Sequence, residues 1–297
     1  MNRKLAPVFV IASGCLWGSM GIFVRRLDGY GLSSMQIVTL RSCIAVLALW
    51  IGIACYNRKL LKIRLRDSWI FLASGCFSVV FFNFCYFKSI TLTSLSVAAV
   101  LLYTAPIFVM LLSAVLFHEK LTKWKLVSLV LAILGCVLVT GVLQDTASVT
   151  PLGILLGLGS AVGYALYSVF GRIALMRGYH SLTITAYTFL VSAIGSLLLT
   201  DSRGIVKMYA AEPNMLLFSM LFALVTTILP YILYTFGLSG MQTGKASVLA
   251  SIEPVTATVI GVLCFQERMS WGNALGIVLV LLALVLAAKT EPEEKCA

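Results

Sequence analysis

A chain of 297 residues that is 60% hydrophobic and only 11% charged, with a mean hydropathy of +1.02, is neither a water-soluble domain nor a disordered one. A net charge of +11 would suit nucleic acid if it were gathered on one face, but the basic residues here lie in short loops between apolar runs, which argues against a nucleic-acid partner. The expectation is an all-α integral membrane protein whose surroundings are the lipid bilayer.

Ten apolar runs of spanning length follow one another, at 6–24, 34–55, 69–87, 95–117, 124–142, 152–170, 181–200, 215–236, 246–265 and 272–288. The first follows Arg3 and Lys4 as a signal peptide would, but no small-residue cleavage site closes it, so it is read as a retained helix holding Trp17. The second carries Arg41 in "IVTLRSCIAVL", about 12 Å from one end of its helix. In the third, Asn83 and Tyr86 share a face. The fourth contains Tyr103 and Pro106 and runs to Glu119. The sixth offers Tyr164 and Tyr167, and the eighth sets Thr227, Tyr231 and Tyr234 on one face at spacings of four and three. The ninth places Ser251, Glu253 and Pro254 between Lys245 and Glu267. The eight cysteines (Cys15, Cys43, Cys55, Cys76, Cys85, Cys136, Cys264, Cys296) mostly fall inside spans and form no C-x-x-C pair. They predict neither a disulfide framework nor a metal site, and no cofactor is expected.

Charge sets the orientation. Counting both termini as cytoplasmic, that side holds fifteen basic residues: Arg3, Lys4, the five of "NRKLLKIRLR", Lys120, Lys123, Lys125, Arg172, Arg177, Lys245, Lys289 and Lys295. The other side holds six, Arg25, Arg26, Lys88, Arg203, Lys207 and Arg268. Such a bias predicts cytoplasmic termini by the positive-inside rule.

The chain also repeats itself. Residues 98–119, "AAVLLYTAPIFVMLLSAVLFHE", match residues 246–267, "ASVLASIEPVTATVIGVLCFQE", at an offset of 148, pairing Pro106 with Pro254, Phe117 with Phe265 and Glu119 with Glu267. Upstream, Tyr86 pairs with Tyr234; near the start of each half, an offset of 147 pairs Trp17 with Tyr164 and Arg25 with Arg172. The predicted organisation is therefore a first repeat at 1–143, a second at 151–289, and a cytoplasmic tail at 290–297. Five spans per repeat is odd, so the second copy is expected upside down relative to the first, as in carriers built from inverted repeats.

Taken together, the ten spans, "ASGCLWGSMGIFVRR" in the first of them and the A…P…E pattern ending the fourth and ninth resemble an EamA-type member of the drug/metabolite transporter superfamily. "SIEPVTATVIGVLCFQERMSWGNALGIVLVLLALVL" is the closest single stretch. The resemblance implies ten transmembrane helices in two inverted five-helix repeats, residence in the inner (plasma) membrane, and export or exchange of small metabolites, often amino acids. It further implies a cavity lined by the first, third, fourth, sixth, eighth and ninth helices.

On these grounds the candidate substrate-binding residues are Trp17, Asn83, Tyr86, Tyr103, Tyr164, Thr227, Tyr231, Tyr234 and Ser251, a set suited to a zwitterionic or amphipathic solute held by stacking and a few hydrogen bonds. Coupling or gate candidates are Arg41, Lys245, Glu253, Pro106, Pro254, Glu119 and Glu267. Alternatives stay open at several of them. Arg41 suits a substrate carboxylate or backbone carbonyls at a helix end. Glu253 suits an amine, a transported proton, an ion pair or the proline break beside it. The prolines are either bend lines or static kinks, and Glu119 and Glu267 are interface anchors or gate-closing pairs. Drug or organic-cation efflux and exchange of phosphorylated solutes near Lys245 are the rival transport readings. An enzyme is disfavoured by the lack of an H-E-x-x-H or G-x-S-x-G motif. A small-molecule substrate is the expected partner, with a homodimer left open.

Overall fold

The structure is a computed structural model that describes residues 5–144 and 149–289. Arg3, Lys4, the 290–297 tail with Lys295 and Cys296, and residues 145–148 of the linker lie outside the described residues. Among the described residues every regular element is helical.

Among the described residues, nine helical stretches are long and apolar enough to cross a membrane: α1 Ala6–Asp28, α2 Ser34–Tyr56, α3 Leu65–Leu92, α4 Leu95–Phe117, α6 Pro151–Met176, α7 Ser181–Leu199, α8 Met215–Leu238, α9 Thr243–Phe265 and α10 Trp271–Lys289. The run expected at 124–142 forms α5, Lys123–Val139, of 17 residues. It sits at the short edge of the spanning range of about 17–25 residues. It ends before 142 because Gly141 turns left-handed, φ +69°. The starts are set by side chains that take up free N–H groups: Ser33 and Gln36 form a capping box before α2, Ser94 accepts from Val97 N at 3.1 Å, Thr122 from Lys125 N at 3.4 Å, and Thr150 from Gly153 N at 3.1 Å. His180 does the same for α7 through Nδ1, accepting from Leu182 N.

Several spans depart from straight helix, and the departures recur at the repeat offset. α4 breaks at Tyr103–Thr104 and α9 at Ser251, each just ahead of its proline. Pro106 and Pro254 thus fall in the first turn of a new half-helix, where the missing N–H removes no hydrogen bond. α3 loosens into a π-helical stretch at Cys76–Phe81 and α8 at Leu224–Ile228. α1 turns at Ser19. After α4 and after α9, His118 (φ 53°) and Gln266 (φ 54°) close their helices in the left-handed region.

Packing follows the same exchange of halves. α1 lies against α8 and α9, α6 against α3 and α4, α2 against α7, α4 against α9, and α5 against α10. Among the contacts close enough to require glycine are two that join spans. A methyl group on Gly18 would meet the Glu253 carbonyl oxygen at 2.6 Å, so α1 and α9 touch backbone to backbone. Between α5 and α10, a methyl on Gly135 would come within 2.8 Å of the Gly276 carbonyl oxygen, and one on Gly276 within 2.7 Å of that of Gly135. Asn273 then donates to the Val139 carbonyl at 2.7 Å, closing the end of α5.

Gly276→Leu is accordingly expected to prise α5 from α10 and lower stability by about 1–3 kcal/mol. Gly272→Ala, which meets nothing closer than Ser270 Oγ at 3.5 Å, should stay within about 0.5 kcal/mol of wild type in thermal unfolding of the detergent-purified protein. Equal stability of the two variants would show that α5 is not seated on α10.

Candidate functional site

The broken and loosened helices meet at the centre of the bundle, around an aromatic cage. Trp17 of α1 stands 5.2 Å from the Tyr231 ring and 5.4 Å from that of Tyr234, both on α8, and 6.1 Å from Tyr164 of α6. Tyr167 adds an edge-on contact to Tyr231 at 4.8 Å. These five rings, with Ser78 and Ser168, line a small cavity of about 10 Å³. Such a space holds about one water, so the site is collapsed in this state. The cage ties up its own hydroxyls: Tyr234 with Ser168 at 2.7 Å, and Tyr167 with Thr235 at 2.7 Å. Ser78 Oγ and Thr227 Oγ1, one on each π-helical stretch, are buried without a hydrogen-bond partner.

The other candidates surround this cage. Tyr86 stacks on Phe82, whose ring faces Tyr164 at 5.8 Å, and does not line the small cavity. Tyr103 packs against the central apolar cluster from the break in α4, and Ser251 is buried at the break in α9. Asn83 donates to Val79 O at 2.7 Å and accepts from Arg41 Nη2 at 3.3 Å. Glu253 accepts from the Tyr164 hydroxyl at 3.3 Å. Lys245 turns away to the end of α10, donating to Ala288 O at 3.0 Å. Ser78 and Ser168 are absent from the residues that the sequence singles out. Ser168 was findable, being four residues after Tyr164 and so on its face. Ser78 carried no signal, because a π-helical stretch shifts the register that a face argument relies on.

At the ends of the bundle, the two repeat-related glutamates have different partners. Glu119, only 7% exposed, accepts from the Thr243 and Gly244 N–H groups at 2.6 and 3.1 Å, holding the last turn of α4 to the first turn of α9. Glu267 pairs instead with Arg25 at 2.5 Å, both half exposed, and Arg25 also lies 4.1 Å over the Phe265 ring. Arg172, the repeat mate of Arg25, donates to the Leu238 and Met241 carbonyls beyond α8. A further ion pair lies at the end of the bundle that carries the basic loop. Asp67, buried at the start of α3, accepts from Arg177 at 2.6 Å and Tyr179 at 2.8 Å, while Thr183 and Tyr187 hold the loop carbonyls of Leu60 and Leu61. Burial and the Asp67 carboxylate push the Tyr179 phenol above its ordinary pKa. On the side opposite the basic loop, Tyr30 donates to Glu212 at 2.7 Å.

The profile of the EamA-like transporter family matches the chain twice, over residues 4–141 and 151–288. Among curated relatives, the uncharacterized transporter YwfM of Bacillus subtilis (strain 168) is 28% identical over 306 residues, covering 100% of this chain and 98% of its own length. YxxF of the same organism is 27% identical over 292 residues, covering 96% and 90%. An uncharacterized transporter of Archaeoglobus fulgidus is 28% identical over 290 residues, covering 94% of each chain. A solved crystal structure with 17% identity superposes at a TM-score of 0.78 over 96% of this chain and 97% of its own, which is a likeness of fold.

The unequal partners of the two glutamates can be read out directly. Glu119→Ala strands two N–H groups at a buried helix start and should lower stability by about 1–3 kcal/mol in thermal unfolding. Glu267→Ala removes a half-exposed pair and should cost about 0–1 kcal/mol. The reverse order would contradict the assignment of Glu119 as the buried latch.

Proposed function

Because this chain belongs to the EamA-like transporter family, we propose that it is a secondary carrier that exports or exchanges small metabolites, amino acids or related zwitterionic and amphipathic solutes, by alternating access to the central cage. In this reading α5 counts as the tenth span, residues 1–143 and 151–289 are inverted repeats, and both termini face the cytoplasm of a cell whose inner membrane holds the protein. The observation that carries it is the unequal engagement of Glu119 and Glu267. The N–H groups matching Thr243 and Gly244 at the repeat offset belong to Leu95 and Ser96. Glu267 is not on them; it holds Arg25.

Alternating access in an inverted repeat requires the two halves to exchange conformations. The opposite state then has Glu267 on the Leu95 and Ser96 N–H groups and Glu119 on Arg172. A side can open only once its glutamate has let go of its helix start. The half-helix starts at Pro106 and Pro254 supply bend points for this motion, since each proline lacks the N–H that would tie it back to the preceding half-helix. Efflux of organic cations and exchange of phosphorylated solutes are less well supported. The cage has one carboxylate at its edge, and Lys245 is turned to the end of α10.

Proteoliposomes loaded with unlabelled amino acids should accumulate the labelled solute by counterflow, and Trp17→Ala should reduce that flux at least tenfold. With the native cysteines replaced and a single cysteine placed at Ser78, Glu119→Ala should raise labelling by an impermeant thiol reagent from the cytoplasmic face, and Glu267→Ala from the opposite face. A single cysteine placed instead in loop 57–67 should react from the cytoplasmic side. No counterflow with any amino acid would sink the substrate reading, and unchanged sidedness in both glutamate variants would sink the latch.

A further inference from the structure

Two charges beside the cage have no counter-ion. Arg41 is 3% exposed, and its guanidinium reaches only uncharged partners, Asn83 Oδ1 at 3.3 Å and Met20 Sδ at 3.7 Å, leaving Nε unpartnered. Its expected alternative, backbone carbonyls at a helix end, is not what it touches. Glu253 has the Tyr164 hydroxyl at 3.3 Å and no cation. Among the described residues the ion pairs are Arg25–Glu267, Arg177–Asp67 and Arg203–Asp201, so neither group is in one. A charge taken into a bundle without a partner is destabilising, and its persistence calls for a reason in function.

Their placement supplies one. The two residues meet α1 at nearly the same depth, the Glu253 backbone carbonyl at Gly18 and the Arg41 side chain at Met20, and the Glu253 carboxyl itself lies on the Tyr164 hydroxyl of the cage. Two residues of helix amount to about 3 Å of rise. Arg41 approaches the cage from α2, beside Asn83, and Glu253 from α9, on the Tyr164 hydroxyl, so a basic and an acidic side chain border the aromatic cage from different helices. The unpartnered hydroxyls of Ser78 and Thr227 lie on the π-helical stretches of α3 and α8, and the latter stretch packs against both α1 and α2.

We propose that the cage is dipolar, with Arg41 as the pole that binds a substrate carboxylate and Glu253 as the pole that binds its ammonium group, so that the pair selects zwitterions. This rests on the carrier reading above. The planar fork of arginine matches a carboxylate with two parallel N–H donors, one of them the Nε that now lacks an acceptor. The apolar body of the solute lies against Trp17, Tyr164 and Tyr231. Each bound charge then replaces the partner that the protein itself does not provide.

Binding of three probes to the detergent-purified protein, by calorimetry, separates the poles: L-phenylalanine, phenethylamine, which lacks the carboxylate, and 3-phenylpropionate, which lacks the amine. Wild type should hold phenylalanine at least tenfold tighter than either truncated probe. Arg41→Met should weaken phenylalanine and phenylpropionate at least tenfold and leave phenethylamine unchanged. It should fold as well as wild type, because it removes a desolvated charge. Arg41→Lys, which keeps the charge but not the fork, should lose severalfold for the two carboxylates alone. Glu253→Gln should give the mirror pattern, weakening phenylalanine and phenethylamine. Unchanged preference in Arg41→Met and Arg41→Lys, or loss of fold in Arg41→Met, would make Arg41 a structural residue and overturn the proposal. So would a wild type that binds phenethylamine as well as phenylalanine, or none of the three probes, even where counterflow of another solute upholds the carrier.

Discussion

In hydrocarbon a backbone N–H or C=O without a partner is destabilising by several kcal/mol, and this constraint decides where a spanning chain can stop being a straight helix. The departures here carry their own replacements. At the turn in α1, Ser19 Oγ donates to the Leu16 carbonyl at 2.7 Å, and at the break in α4, Thr104 Oγ1 donates to that of Leu101 at 2.6 Å. The prolines sit one or two positions into the next half-helix, where no hydrogen bond is asked of them. Breaks of this kind are tolerable only inside the bundle, beside other protein groups. The same rule that confines them to the centre therefore builds the cage, because it brings hydroxyls, tyrosines and loosened turns to one place.

That logic explains what the sequence disclosed. Span positions were legible because twenty-odd apolar residues leave little choice, and the repeat was legible because Pro106, Pro254, Glu119 and Glu267 keep their spacing. The recurrence of left-handed His118 and Gln266 shows how far the copying goes, since neither residue type announces a positive φ. The π-helical stretches were not legible. Leu224–Ile228 precedes Pro230, but Cys76–Phe81 contains and precedes no proline, and only packing distinguishes it from ordinary helix. Side-chain partners were equally hidden. Arg41 has Thr188 as its repeat mate, and that threonine bonds Ser74, so duplication offered no guide to what an arginine there would meet.

The contrast between the two ends of the bundle is energetic as much as geometric. At one end a buried carboxylate meets two N–H groups at a helix start, where the helix dipole adds to the hydrogen bonds. At the other, a half-exposed ion pair and a ring contact hold α9 to α1, and water screens the attraction. Two copies of one element thus stand in unequal states within a single conformation. On the inverted-repeat reading proposed above, this inequality is what leaves a second conformation of similar energy with the roles exchanged. Neither end needs to be intrinsically weaker for the bundle to rock.

The cage sharpens the question of what an empty carrier does. Its tyrosines bond to Ser168 and Thr235, so collapsing to about 10 Å³ leaves few of its polar atoms stranded. That pairing favours closure around nothing, and hence return of the empty protein. Arg41 and Glu253 oppose it, because closure strips water from a guanidinium and a carboxyl group that have no counter-ion. On the dipolar reading proposed above, a zwitterion spanning the two poles removes that opposition, and the loaded protein then crosses its closed state more readily than the empty one. A carrier in which the loaded crossing is the faster behaves as an exchanger. One in which the paired hydroxyls carry the balance exports without return cargo. The competition between those two sets of groups, rather than the aromatic walls themselves, fixes which of the two this protein is.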